Sequence, residues 1–273
     1  MTPLPETPLV SVVTPSYNTG RYIEETLRSV QAQDYPRLEH LVLDSESSDQ
    51  TGAVLARFPD VRLIRPGPTG LVQKMNLGFP AARGEIVAWL CADDYYLPGT
   101  VRKAVEILKR HPQVAVVYAN DLLVDERSVE IQRVRSRQTS HSELVHHRNW
   151  LPHPTVFIRR EALACVGPLD DRYPLVCDWD LWIRLSQRFP ILFVDDWWAA
   201  FRVHADQRSN RYKYQAWQEA CRMTRGHGAS YFSPHTRHYW GRKLAGAGAL
   251  FCRGELSVLG AKLRELMAAM ARP

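Results

Sequence analysis

The sequence predicts an α/β protein: a mixed, mostly parallel sheet flanked by helices, with a helical extension at the C-terminus. Three observations predict it. Through the first 120 residues, short apolar, β-branched runs alternate with segments whose apolar residues recur at helical spacing, the order that builds parallel sheets with helices on both faces. Two of those runs end in acidic residues, Asp44 and the pair Asp93-Asp94, which places carboxylates at the strand ends where open α/β sheets bind ligands. Finally, 273 residues with 45% hydrophobic content and eight Trp can bury a large core, as one domain or one domain with an appendage.

Taken in order, residues 9–14 form an apolar run and the following Pro15-Ser16-Tyr17-Asn18-Thr19-Gly20 a turn cluster. Ile23, Leu27 and Val30 recur at helical spacing. A second strand over 40–43 ends at Asp44, and Ser47, Ser48 and Asp49 offer N-caps for a helix running to Phe58. A short strand at 61–64, a loop at 66–70 and a helix over 71–82 follow. Residues 86–92 are apolar throughout, so they form a strand buried on both faces that delivers Asp93 and Asp94 at its C-terminal end. Val101, Val105 and Leu108 share one face of a helix over 100–111, and 114–118 is the next strand.

Past Asn120 the regularity breaks. Residues 125–147 are polar and rich in Arg, Ser and His, which predicts a long excursion over an active-site face. A strand at 155–158, a helix at 178–188 that turns Leu181, Trp182 and Leu185 inward, and a strand at 191–194 come next. From Tyr212 the pattern is helical, interrupted by Gly226, Gly228 and Pro234.

The net charge of +6 is unevenly placed: residues 201–273 hold 13 Lys and Arg against four Asp and Glu. Such a segment suits an anionic surface, nucleic acid or membrane, and an ordinary solvated helical face accounts for it as well. The five cysteines are odd in number and show no C-x-x-C spacing, so reduced, cytosolic thiols are expected. Residues 1–8 lack the basic and apolar regions of a signal peptide, and the uncharged stretch within 243–253 is far shorter than the ~20 residues of a spanning helix.

Two fixed acids at a strand end can hold a hard divalent cation, although Asp is also a common turn residue. The first strand-to-helix turn lacks both G-x-G-x-x-G and a Walker lysine, which argues against a dinucleotide oxidoreductase and a P-loop NTPase.

Several motifs follow one another along the chain. They are Val10-Ser11-Val12-Val13-Thr14-Pro15-Ser16-Tyr17-Asn18, the acidic turn from Asp44 to Thr51, Gly70 with Asn76 and Gly78, Gly84-Glu85, and Trp89-Leu90-Cys91-Ala92-Asp93-Asp94. His153-Pro154-Thr155, Cys177-Asp178-Trp179-Asp180 and Phe201-Arg202-Val203-His204 come after them. Over residues 9–210 this series resembles the family 2 glycosyltransferases, whose fold is the nucleotide-diphosphosugar transferase (GT-A) type.

The resemblance implies that Pro15 and Tyr17 line a base pocket and that Asp44 accepts the base's imino N–H. It implies that Asp93 contacts ribose or metal, that Asp94 is the metal ligand, and that His204 approaches the metal or diphosphate. Asp178 would be the base that takes the acceptor's proton. Asp178 also fits an ordinary helix cap, and Asp180 is placed to pair with Arg184 at i+4. Cys91 departs from the pattern, standing where many relatives have Asp.

By the same resemblance, residues 1–210 form the transferase domain, with a nucleotide half over 1–120 and an acceptor half over 121–210. Residues 211–273 form the basic helical extension. The expected cofactor is Mn²⁺ or Mg²⁺. The expected partners are a UDP- or dTDP-sugar donor and a saccharide or lipid-linked acceptor, with an anionic membrane surface or a second copy of the chain meeting the tail, and no nucleic acid. A cytoplasmic, membrane-peripheral role in cell-surface polysaccharide or glycoconjugate synthesis follows. The alternative is a catalytically weak nucleotide-sugar-binding protein, motivated by Cys91.

Overall fold

β1 (Val10–Ser16) is buried along its whole length and forms the axis of a parallel set. It pairs with β2 (Leu38–Asp44) on one side, β3 (Arg62–Ile64) continues the set beyond β2, and β4 (Ile86–Trp89) lies on the other side of β1. The helices α1 (Ile23–Gln31), α2 (Thr51–Leu55) and α3 (Leu71–Ala81) connect these strands. After β4 the chain turns at Asp93-Asp94 through the short β5 (Tyr95–Tyr96) into α4 (Thr100–Arg110). These features come from a computed structural model that describes residues 1–230 together with Ser233 and Pro234.

The second half begins with β6 (Val116–Val124) and β7 (Glu130–Val134), which form an antiparallel hairpin. It continues through α5 (His141–His146), a 3-10 turn (His153–Thr155), β8 (Phe157–Arg159), α6 (Arg160–Val166) and α7 (Cys177–Arg188). β9 (Ile191–Arg202), α8 (Arg208–Arg211) and α9 (Lys213–Gly226) complete the described chain. The sheet order is β3-β2-β1-β4-β8-β6-β9-β5, with β7 beside β6. Antiparallel β8 joins the parallel set around β1 to the parallel pair β6 and β9, so the sheet is mixed but mostly parallel, as expected.

One core lies between the sheet and α3, α5, α6 and α7, and includes Trp89, Trp179 and Trp182. A second lies under α4 and includes Trp198, and a smaller one lies under α1 and α2. α3 lies so close to the sheet that a Cβ on Gly78 would stand 2.6 Å from Val13 Cγ1 and 2.8 Å from Leu43 Cδ1.

Three expectations are corrected. The second helix stops at Leu55, short of Phe58; its N-cap position is Gln50, and of the three residues offered as caps Asp49 meets it, its Oδ1 accepting the Thr51 N–H at 2.9 Å. β6 and β9 run well past residues 118 and 194 because their polar residues satisfy one another across the pair. Asn120 Nδ2 donates to Asp195 Oδ1 at 2.9 Å, and register shifts around Asn120 absorb the mismatch. The 125–147 excursion is built in part from β7 and α5, the latter closed by a capping box between Ser140 and Glu143.

α9 docks on the start of α7. The buried Glu219 carboxylate accepts the Leu175 and Val176 N–H groups at 2.6 and 3.1 Å, and His227 Nε2 lies 2.8 Å from Asp180 Oδ1. Asp180 also takes Arg184 Nε at 2.8 Å, the expected i+4 pair. Among the described residues no helix is long and apolar enough to cross a membrane, and Cys91, Cys165 and Cys177 are free thiols. The basic and aromatic residues from Arg237 onward, with Tyr231 and Phe232, lie outside the described residues.

Gly78→Val is expected to destabilise the protein by about 1–3 kcal/mol through overpacking, measured by denaturant unfolding. An unchanged midpoint would show that α3 does not need this close approach.

Candidate active site

The parallel register sets Ser16 beside Asp44 at the C-terminal edge of β1 and β2. Asp44 is 5% exposed, and its carboxylate accepts the Ser47 N–H at 3.2 Å and the Ser47 hydroxyl at 2.5 Å. Ser47 Oγ accepts the Asn18 N–H at 2.8 Å, while Asn18 Oδ1 accepts the Ser48 N–H at 2.9 Å, so the two loops clasp each other. Asn18 takes a left-handed conformation, φ 51°, which Asn tolerates better than most residues. Asp44 therefore does cap its own turn. Pro15 is buried in β1 opposite Leu43, while Tyr17 stands 58% exposed at the rim.

Beneath Tyr17 lies Lys74, a buried amine on α3 that donates to the Ser16 carbonyl at 2.8 Å and sits 5.9 Å from the Tyr17 ring centre. Burial brings its pKa down to about 8, against the opposing pull of Asp44. A charge inside the apolar run Leu71-Val72-Met75 was the sequence signal for this residue.

β4 brings up the acidic turn, and Arg202 at the end of β9 holds it. The Arg202 N–H donates to Asp94 Oδ1 at 3.0 Å and its Nε to the Asp93 carbonyl at 2.9 Å. One terminal nitrogen reaches the Asp125 carbonyl at 3.1 Å and Ser128 Oγ at 3.0 Å; the other pairs with Glu25 of α1. The rings of Tyr22 and Tyr95 lie 5.0 and 5.6 Å from the guanidinium.

The two acids of the turn differ. Asp94 is 1% exposed and its Oδ2 has no hydrogen-bond partner, so burial, and then Asp93, push its carboxyl well above the usual range. Asp93 is more open, its side chain 22% exposed, and its Oδ2 lies 3.1 Å from His204 Nε2. The structure thus brings His204 to Asp93 rather than to Asp94. Asp94 faces Cys91 and His153, whose ligand atoms all lie within 4.8 Å of one another. Asp121 on β6 is a further buried carboxylate beside Asp94, its pKa pushed up to about 7 by burial.

Asp178 opens α7 in its first turn, where the helix N-terminus favours a carboxylate. Its Oδ2 accepts Asn149 Nδ2 at 3.4 Å, and burial pushes its pKa up to about 6 despite backbone N–H bonds that pull it down. The Cys91 thiol, raised first by burial, is raised further by the charges of Asp93, Asp94 and Asp178. Sequence reasoning missed Asn149, Lys74, Asp121 and the role of His153 as a partner of the turn. The oxygen of Asp93 and the nitrogen of His204 fit a divalent cation with water and phosphate in the rest of its shell.

The description Glycosyl transferase family 2 matches residues 11–167. An uncharacterized protein of Mycobacterium tuberculosis is 34% identical over 214 residues, 70% of this chain and 66% of that protein. An uncharacterized glycosyltransferase of Rickettsia prowazekii is 27% identical over 216 residues, 74% of this chain and 66% of that protein. The chain thus spans just under two thirds of these two curated relatives.

Among solved structures, Staphylococcus aureus TarS 1–349 in complex with UDP-GlcNAc has a TM-score of 0.65 at 17% identity, over 87% of this chain and 73% of that one. The mannosyltransferase PcManGT of Pyrobaculum calidifontis, in complex with GDP-Man and Mn²⁺, has a TM-score of 0.64 at 21% identity, over 100% of this chain and 78% of that one. At these identities the likeness is one of fold, and it agrees with the expected GT-A arrangement.

Arg202→Met, which removes the fork but keeps the stem, is expected to destabilise the protein by on the order of 3 kcal/mol in denaturant unfolding, because it strands buried acceptors. A loss below about 0.5 kcal/mol, the range of an ordinary surface change, would show that the turn is held by something else.

Proposed function

Because the chain belongs to glycosyl transferase family 2, we propose that it moves a sugar from a UDP- or dTDP-type donor to an acceptor hydroxyl, with inversion at the anomeric carbon. The observation that carries this reading is the placement of Asp178 in the first turn of α7 with Asn149 bonded to one of its oxygens, where burial pushes its pKa up to about 6. A general base works best with a pKa close to the operating pH, strong enough to take a proton and still ionised.

Asp178 takes the proton of the acceptor hydroxyl as its oxygen attacks the anomeric carbon. Asn149, bonded to one carboxylate oxygen, fixes the direction in which the other is presented. Attack from the face opposite the leaving group inverts the centre, and no covalent intermediate is required. Pro15 and Tyr17 flank the nucleobase, Asp44 accepts its imino N–H, and Lys74 lends positive charge to the same pocket. Asp93 with His204 would hold the cation, and Asp93 would also contact the ribose. Asp94, which the resemblance makes the metal ligand, is buried with one oxygen committed to Arg202. A divalent ion held there would supply positive charge against the charge that grows on the leaving diphosphate. Neighbours solved with UDP-GlcNAc, and with GDP-Man and Mn²⁺, support a nucleotide-sugar donor and a divalent ion.

The acceptor is a saccharide or lipid-linked saccharide of cell-surface polysaccharide or glycoconjugate synthesis. Lys213, Arg222 and Arg225 on α9 begin the basic segment that would meet an anionic membrane.

Asp178→Asn is expected to lower transfer by about 100- to 10,000-fold while leaving nucleotide affinity unchanged in calorimetry. The base acts when deprotonated, so wild-type kcat/KM rises as pH climbs through about 6 and is level above it. The residual rate of the Asn variant lacks that limb. Unchanged turnover in the variant would remove Asp178 from the mechanism.

A further inference from the structure

We propose that Cys91, Asp94 and His153 form a second metal site, for a thiophilic divalent cation of the Zn²⁺ class, behind the Asp93–His204 pair. Cys91 Sγ, an Asp94 oxygen and a His153 ring nitrogen all lie within 4.8 Å of one another. No hydrogen bond uses Asp94 Oδ2 or His153 Nε2, although both atoms are shut off from solvent. Unpartnered buried polar atoms are rare and costly, and two that converge with a thiol on one small space point to an ion shared among them.

The donor set selects the class of ion. The thiolate is the discriminating ligand, since it favours Zn²⁺ and its neighbours whereas Mg²⁺ and Mn²⁺ prefer oxygen. Three protein ligands leave a fourth tetrahedral position for water. Asp94 is a one-oxygen ligand here, since Arg202 occupies Oδ1. The surroundings hold the ligands in place: the Trp89 and His153 rings meet edge-to-face with centroids 4.4 Å apart, and the Cys91 carbonyl accepts the Asp94 N–H at 3.1 Å.

Such an ion ties the end of β4 to the 3-10 turn before β8 and fixes the turn that presents Asp93 to the cleft. On binding, the thiol gives up its proton to solvent and the metal–sulfur bond forms, with no change of oxidation state. The site uses none of the residues assigned to the donor sugar or acceptor, so it stands independently of the proposed reaction.

The test uses the full chain, stripped of metal with a chelator and titrated with Co²⁺ alone, with no donor present. Expected is binding of about one Co²⁺ per chain with a thiolate-to-cobalt charge-transfer band in the near ultraviolet, displaced by Zn²⁺. Cys91→Ser and Cys91→Asp, the second restoring the acid common at this position, both lose the band, and His153→Gln weakens the binding. Cys165→Ser, at an exposed thiol, keeps the band. No band in the wild type, or a band that survives Cys91→Ser or Cys91→Asp, overturns the proposal.

Discussion

Arg202 is a guanidinium with almost no exposed surface, and its hydrogen bonds decide where the acidic turn sits. A buried cation is tolerated only when its charge and donors are matched, and here the matching groups come from four places: the Asp93-Asp94 turn, Glu25 of α1, the Asp125 carbonyl and Ser128. Two tyrosine rings flank it. One residue at the end of β9 thus ties the edge of the β1 set to the β6–β7 hairpin. It also supplies the positive charge that lets adjacent carboxylates share a tight, partly buried turn.

The remaining geometry builds outward from that tie. Antiparallel β8 sets the two halves of the sheet side by side, so that groups from distant parts of the chain come together around the acidic turn. Each carboxylate then has its own environment. Asp44 is fixed by Ser47, Asp93 meets His204, Asp94 is buried beside a thiol, and Asp178 sits at a helix start with Asn149. α9 braces this last element through Glu219 and His227, so the basic segment's first helix contributes to the placement of Asp178.

The sequence made the nucleotide-side half legible because its strands are apolar on both faces and its helices keep a clean period. β1, β2, β3, α3 and α4 lie where those patterns put them, as does α7 in the second half. The second half was less legible for physical reasons. β6 and β9 continue through Asn120, Asp121, Asp195 and Asp196, whose polarity reads as a strand end until pairing across the sheet is known. β7 is mostly exposed and shows no buried face to detect. At the site, motif order identified Asp93, Asp94, Asp178 and His204 as residues of interest, but not which of them meet. His153 approaches Cys91 only because β8 lies beside β4, a contact that no local spacing encodes.

The central claim is that the Asp93-Asp94 turn, held by Arg202, is the place where a divalent ion and a nucleotide diphosphate bind together. Calorimetric titration of UDP into the wild type and Asp93→Asn, each with and without Mn²⁺, tests it most directly. Mn²⁺-dependent UDP binding is expected of the wild type, with the dependence lost in Asp93→Asn. UDP affinity that is the same with and without Mn²⁺, or the same Mn²⁺ dependence in both proteins, would contradict it.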